Sequence, residues 1–208
     1  MDPKALKLYL CTDRVLSGGR PLTDAVESAI RGGVTMVQIR EKEAPTREFY
    51  NVARDIQAIT KRRGVPLIVN DRIDIALAIG AEGVHLGQSD MPVEAARRLA
   101  PHLWIGISAA TVEEALAAQE KGADYLGVGP VFTTGSKADA GEGIGLGMLR
   151  RIREAVRIPL VGIGGIGPDN AGDVMKAGAD GISVISAILT QPDIEMAARL
   201  LYSCLKSQ

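Results

Sequence analysis

"VNDRIDIALAIGAEGVHLGQSD", Val69 to Asp90, holds two apolar runs that each end in an acid. The first closes in Asn70-Asp71 and the second in Gly87-Gln88-Ser89-Asp90. Each run reads as a buried strand, and the segment between them reads as a helix closed by Gly80. If the two strands are parallel neighbours, both acids sit at the same rim of a sheet. Two carboxylates placed that way could hold a divalent cation.

The same strand-helix alternation extends along the whole chain. Apolar, β-rich runs occur at 8–12, 36–40, 66–70, 83–87, 103–108, 124–129, 159–165 and 181–186. Between them lie helical patterns such as Thr111 to Lys121 and Met148 to Val156. Thr46 precedes Arg-Glu-Phe as a helix start, and Thr111-Val112-Glu113-Glu114 has the spacing of a capping box. The punctuation shows a longer period. Gly33-Val34-Thr35, Gly80-Ala81-Glu82, Gly122-Ala123-Asp124 and Gly178-Ala179-Asp180 precede the even strands. Pro66, Pro101 and Pro159 precede odd ones, where proline stops a helix and is tolerated at a strand's first position. The unit is βαβα, repeated four times.

Strands apolar on both faces require a sheet covered on both sides. Eight regular units favour a closed (β/α)8 barrel over an open doubly wound sheet, and 208 residues is near the lower end for such barrels. The expectation is one barrel domain over residues 1–208. Net charge is −1 with acids and bases mixed throughout, which argues against a nucleic-acid or acidic-membrane partner. Two cysteines, Cys11 and Cys204, give no disulfide framework. No apolar segment approaches a membrane span, and the opening "MDPKALKLYL" lacks the apolar core of an export signal. A cytoplasmic protein is expected. Ala-rich outer helices such as Thr111 to Lys121 could pair, so a homo-oligomer stays open.

Barrel chemistry sits at the carboxyl ends of the strands. Those ends carry Gln38, Arg40 and Lys42, then Asn70 and Asp71, Gln88 and Asp90, and Ser108. "GPVFTTGSK", Gly129 to Lys137, follows strand 6; Gly164-Gly165 end strand 7, and Ile185-Ser186 end strand 8. Bare glycine amides with a helix beginning at Pro168-Asp169 suit an anion, and the loops after strands 7 and 8 are a frequent phosphate site. Across the rim, Arg40, Lys42 and Lys137 are cationic and Asp71 and Asp90 anionic. A surface salt-bridge network would explain the five charges, but their common place at strand ends favours a bound diphosphate. Two carboxylates with phosphate oxygens is how proteins usually hold Mg²⁺. Zinc is disfavoured, because the only histidines are His85 and His102. His85 lies mid-strand, alternates with apolar neighbours and reads as structural. Asp74 suits the positive end of the next helix. The Gly-rich loop around Asp139 reads as a lid. One rim with two anion sites suggests the joining of two phosphorylated small molecules, with pyrophosphate leaving one of them.

Together, "VQIREK", the Val69–Asp90 segment, "GIS", "DYLGVGPVF", "SKADA" and "GIGGI" resemble the thiamine phosphate synthase family, in order and spacing, from about Tyr9 to Leu189. The resemblance implies a transferase coupling 4-amino-5-hydroxymethyl-2-methylpyrimidine pyrophosphate to 4-methyl-5-(2-phosphoethyl)thiazole with Mg²⁺. It implies Asp71 and Asp90 as metal ligands, and Arg40, Lys42 and Lys137 on pyrophosphate. Gln38, Asn70 and Ser108 would surround the pyrimidine and its diphosphate, with Thr134 and Ser136 near the thiazole and pyrophosphate. Gly165, Ile185 and Ser186 would hold the thiazole phosphate. Lys137, Ser108 and Arg40 would be the catalytic residues. The sequence departs from the pattern at Ala110, where a histidine is common, and at Thr133, where a proline is common. Thiazole tautomerase relies on a histidine at the Ala110 position and resembles this chain less. A non-catalytic barrel that binds a thiamine precursor is the rival from another class.

Overall fold

The computed structural model describes residues 1–135 and 142–205. Ser136, Lys137 and Asp139, and with them the middle of the expected lid, lie outside the described residues. Eight parallel strands form one closed barrel in sequence order. They are β1 (Leu8–Cys11), β2 (Met36–Ile39), β3 (Leu67–Asn70), β4 (Gly83–Leu86), β5 (Trp104–Ala109), β6 (Tyr125–Val128), β7 (Leu160–Ile163) and β8 (Gly181–Val184). The helices between them are α1 (Leu22–Arg31), α2 (Thr46–Arg63), α3 (Ile73–Ile79), α4 (Val93–Leu99), α5 (Val112–Glu120), α6 (Gly145–Ala155) and α7 (Ala171–Lys176). After β8 the chain departs from strict alternation: a single turn, α8 (Ser186–Leu189), comes before α9 (Ile194–Cys204).

Alternation along each strand separates two cores. Outward residues such as Leu8, Val37, Val69, Leu86 and Ile105 pack under the helices in one large cluster. Inside the barrel, Tyr9, Met36, Ile68, Tyr125 and Val161 form a second cluster with Leu6. The buried polar side chains Gln38, Asn70, His85 and Ser183 lie further toward the carboxyl ends of the same strands. The barrel is therefore plugged with apolar groups at one end and lined with polar groups at the other. That gradient floors a site.

The four glycine triplets have a structural reason. Gly33, Gly80, Gly122 and Gly178 all adopt positive φ, between 68° and 111°. Each turns the chain out of a helix so that the residue two places on reaches back to the preceding odd strand. Thr35 Oγ1 accepts from Leu8 N at 2.9 Å and Glu82 Oε2 from Leu67 N at 2.7 Å. Asp124 Oδ2 accepts from Ile105 N at 2.7 Å and Asp180 Oδ2 from Leu160 N at 2.9 Å. Asp124 and Asp180 also pair with Arg97 and Arg153. The βαβα repeat is thus a repeat of strand-start caps. Replacing Asp124 with Ala leaves a strand amide unsatisfied and Arg97 without its carboxylate. A loss of about 1–3 kcal/mol is expected, read as a fall in Tm of roughly 2–4 °C per kcal/mol for a chain of this size. An unchanged Tm would remove the cap from the account.

One local expectation needs correcting. Thr111 forms the full capping box of α5, but Thr46 is the first residue of α2 and Pro45 occupies the cap. Proline's fixed φ suits the entry to a helix, so Ala-Pro-Thr marks the start one residue earlier than a hydroxyl-based reading does. Cys11 is buried in β1, Cys204 sits in α9, and neither is in a disulfide. Among the described residues no helix is long and apolar enough to cross a membrane.

Candidate active site

The turn that ends β3 answers the opening question. Register pairs Asn70 with His85, so β3 and β4 are parallel neighbours. Asp71 N donates to His85 O at 2.9 Å, and Arg72 N donates to Asn70 O at 2.7 Å across a three-residue turn. Asp71, at its centre, has φ +62° and is the one described non-glycine residue with positive φ. Asp tolerates that region better than most residues, yet such conformations cluster where geometry serves function. At the end of β4, Asp90 folds back on its own turn: its Oδ2 accepts from Gly87 N at 2.7 Å.

The two acids meet. The Asp71 carboxylate lies within hydrogen-bonding reach of Asp90 and accepts from Lys42 Nζ at 2.7 Å. Burial is the main cause that pushes its pKa above the usual aspartate value; Lys42 opposes the rise, and Asp90 adds to it. In the structure Lys42 and Asp71 are ion-paired, as the salt-bridge reading requires. Burial beside a second carboxylate goes beyond it, because Asp71 has Asp90 as well as the partly exposed Lys42 for a neighbour.

A cleft of about 440 Å³ opens above the polar half of the barrel. Its walls include Arg40, Lys42, Asn70, Asp71, Asp90, Ser108, Thr134, Gly165, Ile185 and Ser186. Each was expected at the rim, and one cleft gathers them. Arg40 is steadied from β1: its N donates to Thr12 Oγ1 at 3.1 Å, and its guanidinium lies 3.7 Å from Asp13. The Asp13 carboxylate also accepts from Val15 N and Leu16 N, each at 3.0 Å. The sequence reading passed over Asp13, although an acid just after the first strand was a visible signal.

Gln38 stands apart from the cleft walls. It is buried inside the barrel, where Nε2 donates to Tyr9 Oη at 2.6 Å and Oε1 accepts from the Cys11 thiol at 3.3 Å. His85 has more to do than packing: it lines the cleft, with Nε2 3.0 Å from Ser108 Oγ and Nδ1 3.1 Å from Tyr125 Oη. Gln88 Nε2 donates to Ser108 O at 2.6 Å and ties the β4 turn to β5.

On the far wall, Gly164 and Gly165 turn at φ +98° and +64°. Asn170 fastens this turn by accepting from Gly167 N at 2.8 Å and donating to Gly165 O at 3.0 Å. The next helix, α7, begins at Ala171, later than Pro168-Asp169 suggested. The single turn α8 opens from Ile185-Ser186 beside Gly165, the loop-plus-short-helix pattern common to barrel phosphate sites. Asp74 lies in the first turn of α3 as expected and also pairs with Arg72, which holds its carboxyl below the usual range.

Fold and cleft define a (β/α)8-barrel enzyme with its site at the carboxyl ends of the strands. The family profile of thiamine monophosphate synthase matches residues 8–188. A thiamine-phosphate synthase of Clostridium novyi is 57% identical over 94% of this chain and 96% of its own length. That of Moorella thermoacetica is 54% identical over 93% of each. A solved thiamine phosphate pyrophosphorylase from Pyrococcus furiosus superposes with a TM-score of 0.92 at 47% identity, covering 99% of this chain and 98% of its own. The chain belongs to the thiamine monophosphate synthase family, a family of transferases.

Proposed function

We propose that the chain joins 4-amino-5-hydroxymethyl-2-methylpyrimidine pyrophosphate to 4-methyl-5-(2-phosphoethyl)thiazole, forming thiamine phosphate and releasing pyrophosphate, with Mg²⁺ bound by Asp71 and Asp90. The observation that carries the reading is the Asp71–Asp90 pair, half-buried at one rim and balanced by Lys42. The donor set fits the metal. Among the described residues no group of three or more His, Cys, Asp or Glu gathers into a protein-only cage. Two carboxylates plus substrate phosphate oxygens and water is the usual magnesium arrangement. When bound, the ion supplies charge neutralisation for the departing pyrophosphate.

The chain's own residues align the partners and exclude alternatives. Carbon–oxygen cleavage at the pyrimidine's exocyclic carbon sends the electron pair to pyrophosphate and leaves a cation stabilised by the electron-rich ring. The neutral thiazole nitrogen then forms the new carbon–nitrogen bond, so no base is required. Arg40 and Lys42, with Lys137 in this role by family resemblance, attract the leaving group. Asn70 and Ser108 face the pyrimidine end of the cleft. Gly165, Ile185 and Ser186 fix the thiazole phosphate through backbone amides, with Thr134 near the thiazole and Ser136 in this role by family resemblance. That spacing must bring nitrogen and carbon to roughly 3–3.5 Å. Gln38 acts from below, through contacts inside the barrel. Ala110 lines the cleft and offers no base, which disfavours the tautomerase reading.

The test is pyrophosphate release with both substrates and Mg²⁺. Turnover that stops when EDTA is added is the expected result. Tight binding of both molecules with no release would overturn the proposal in favour of a precursor-binding barrel.

A further inference from the structure

Six side chains make a continuous hydrogen-bond path through the barrel interior. The Cys11 thiol donates to Gln38 Oε1, and Gln38 Nε2 donates to Tyr9 Oη at 2.6 Å. Tyr9 Oη lies 3.0 Å from Tyr125 Oη, and donation from Tyr9 continues the direction set by Gln38. Tyr125 Oη then has its own proton for His85 Nδ1 at 3.1 Å. With Nδ1 accepting from Tyr125, the ring carries its hydrogen on Nε2, which lies 3.0 Å from Ser108 Oγ. In that tautomer Ser108 accepts from the ring and keeps its own hydroxyl proton for the cleft that it lines.

We propose that Tyr125 is a positioning residue: by donating to His85 Nδ1 it fixes the ring tautomer that makes Ser108 a hydrogen-bond donor to the pyrimidine diphosphate. This rests on the function proposed above. Two glycines support it independently, neither at positive φ. A Cβ on Gly106 would lie 2.1 Å from Tyr125 Cζ, and one on Gly127 would lie 2.9 Å from His85 Cε1. Both strands give up a side chain where the Tyr125–His85 segment passes. Desolvation raises the pKa of both tyrosines, so they stay protonated donors at neutral pH. A chain of this kind is polarised along its length, and removing one hydroxyl breaks its direction.

The experiment pairs ring ¹⁵N NMR with steady-state kinetics on the full chain and Tyr125→Phe. His85 and His102 are the only histidines, so an exposed-site His102→Gln variant assigns the spectrum. The expected wild-type ring is a single Nε2–H tautomer, which Tyr125→Phe converts to a mixture. Turnover of the variant, with both substrates and Mg²⁺, is expected to fall roughly 10- to 100-fold, the worth of one hydrogen bond to a charged group, with KM for the thiazole phosphate little changed. Unchanged turnover, or Nδ1–H in the wild type, overturns the proposal. Should Tyr125→Phe not fold, the wild-type ring spectrum decides alone. That spectrum needs no activity, so an inactive wild type would sink the proposed reaction without touching the tautomer.

Discussion

Asp71→Asn is expected to make the protein inactive and more stable at once. Asn keeps the shape and also tolerates positive φ, so the turn at +62° survives. The charge is lost, and with it one of the two anionic ligands proposed for the metal. Turnover should fall on the order of 10²–10³-fold, the size seen when one preorganised electrostatic contact is removed. Stability moves the other way. Burial, with Asp90 adding to it and Lys42 opposing, raises the Asp71 pKa in the folded state. A raised carboxylate binds its proton more tightly folded than unfolded, so its contribution to stability is present at low pH and lost as pH rises through the folded pKa. At neutral pH the charged group is a net cost. Thermal unfolding without Mg²⁺ should therefore show a higher Tm for Asp71→Asn at pH 7, with the gap shrinking as pH falls into the range where Asp71 protonates. A lower Tm at pH 7 would mean that Lys42 outweighs burial. Lys42 is 43% exposed, so water can take over its solvation when the partner goes.

Gly165→Ala should separate the two anion sites. At φ +64° an alanine costs about 1–2 kcal/mol in backbone energy alone. Its Cβ would also stand 2.8 Å from Phe132 Cβ and 2.8 Å from Thr133 O, and a backbone oxygen cannot swing aside cheaply. The turn proposed to offer amides to the thiazole phosphate must shift against the loop after β6. KM for the thiazole phosphate is expected to rise roughly tenfold or more, the equivalent of ~1.4 kcal/mol, while binding of the pyrimidine diphosphate stays near its original strength. Equal weakening of both substrates would show one shared anion site. That outcome would contradict the two-site reading.

The sequence shows the barrel because its signals are local. The glycine triplets and the prolines mark ends that the backbone must turn, and Asp71 and Asp90 follow their strands directly. Parallel pairing in register then brings those acids together without further assumption. What it hides depends on direction inside a closed space. Gln38 sits near the end of β2 like the rim residues, yet its amide bonds Tyr9 and Cys11 inside the barrel, and only the register of β1 on β2 shows this. His85 reads as packing because its neighbours are apolar. Its role emerges when Tyr125 on β6 and Ser108 on β5 come within reach through two strand glycines. Asp13 was legible as an acid after β1, but its hold on Arg40 depends on a loop that folds back on itself.

Pyrophosphate titrated calorimetrically into the protein, with and without Mg²⁺, tests the central claim most directly. If Asp71 and Asp90 hold a metal that the diphosphate completes, Mg²⁺ should tighten pyrophosphate binding strongly in the wild type and hardly at all in an Asp71→Asn, Asp90→Asn double variant. The same magnesium dependence in both proteins would contradict it.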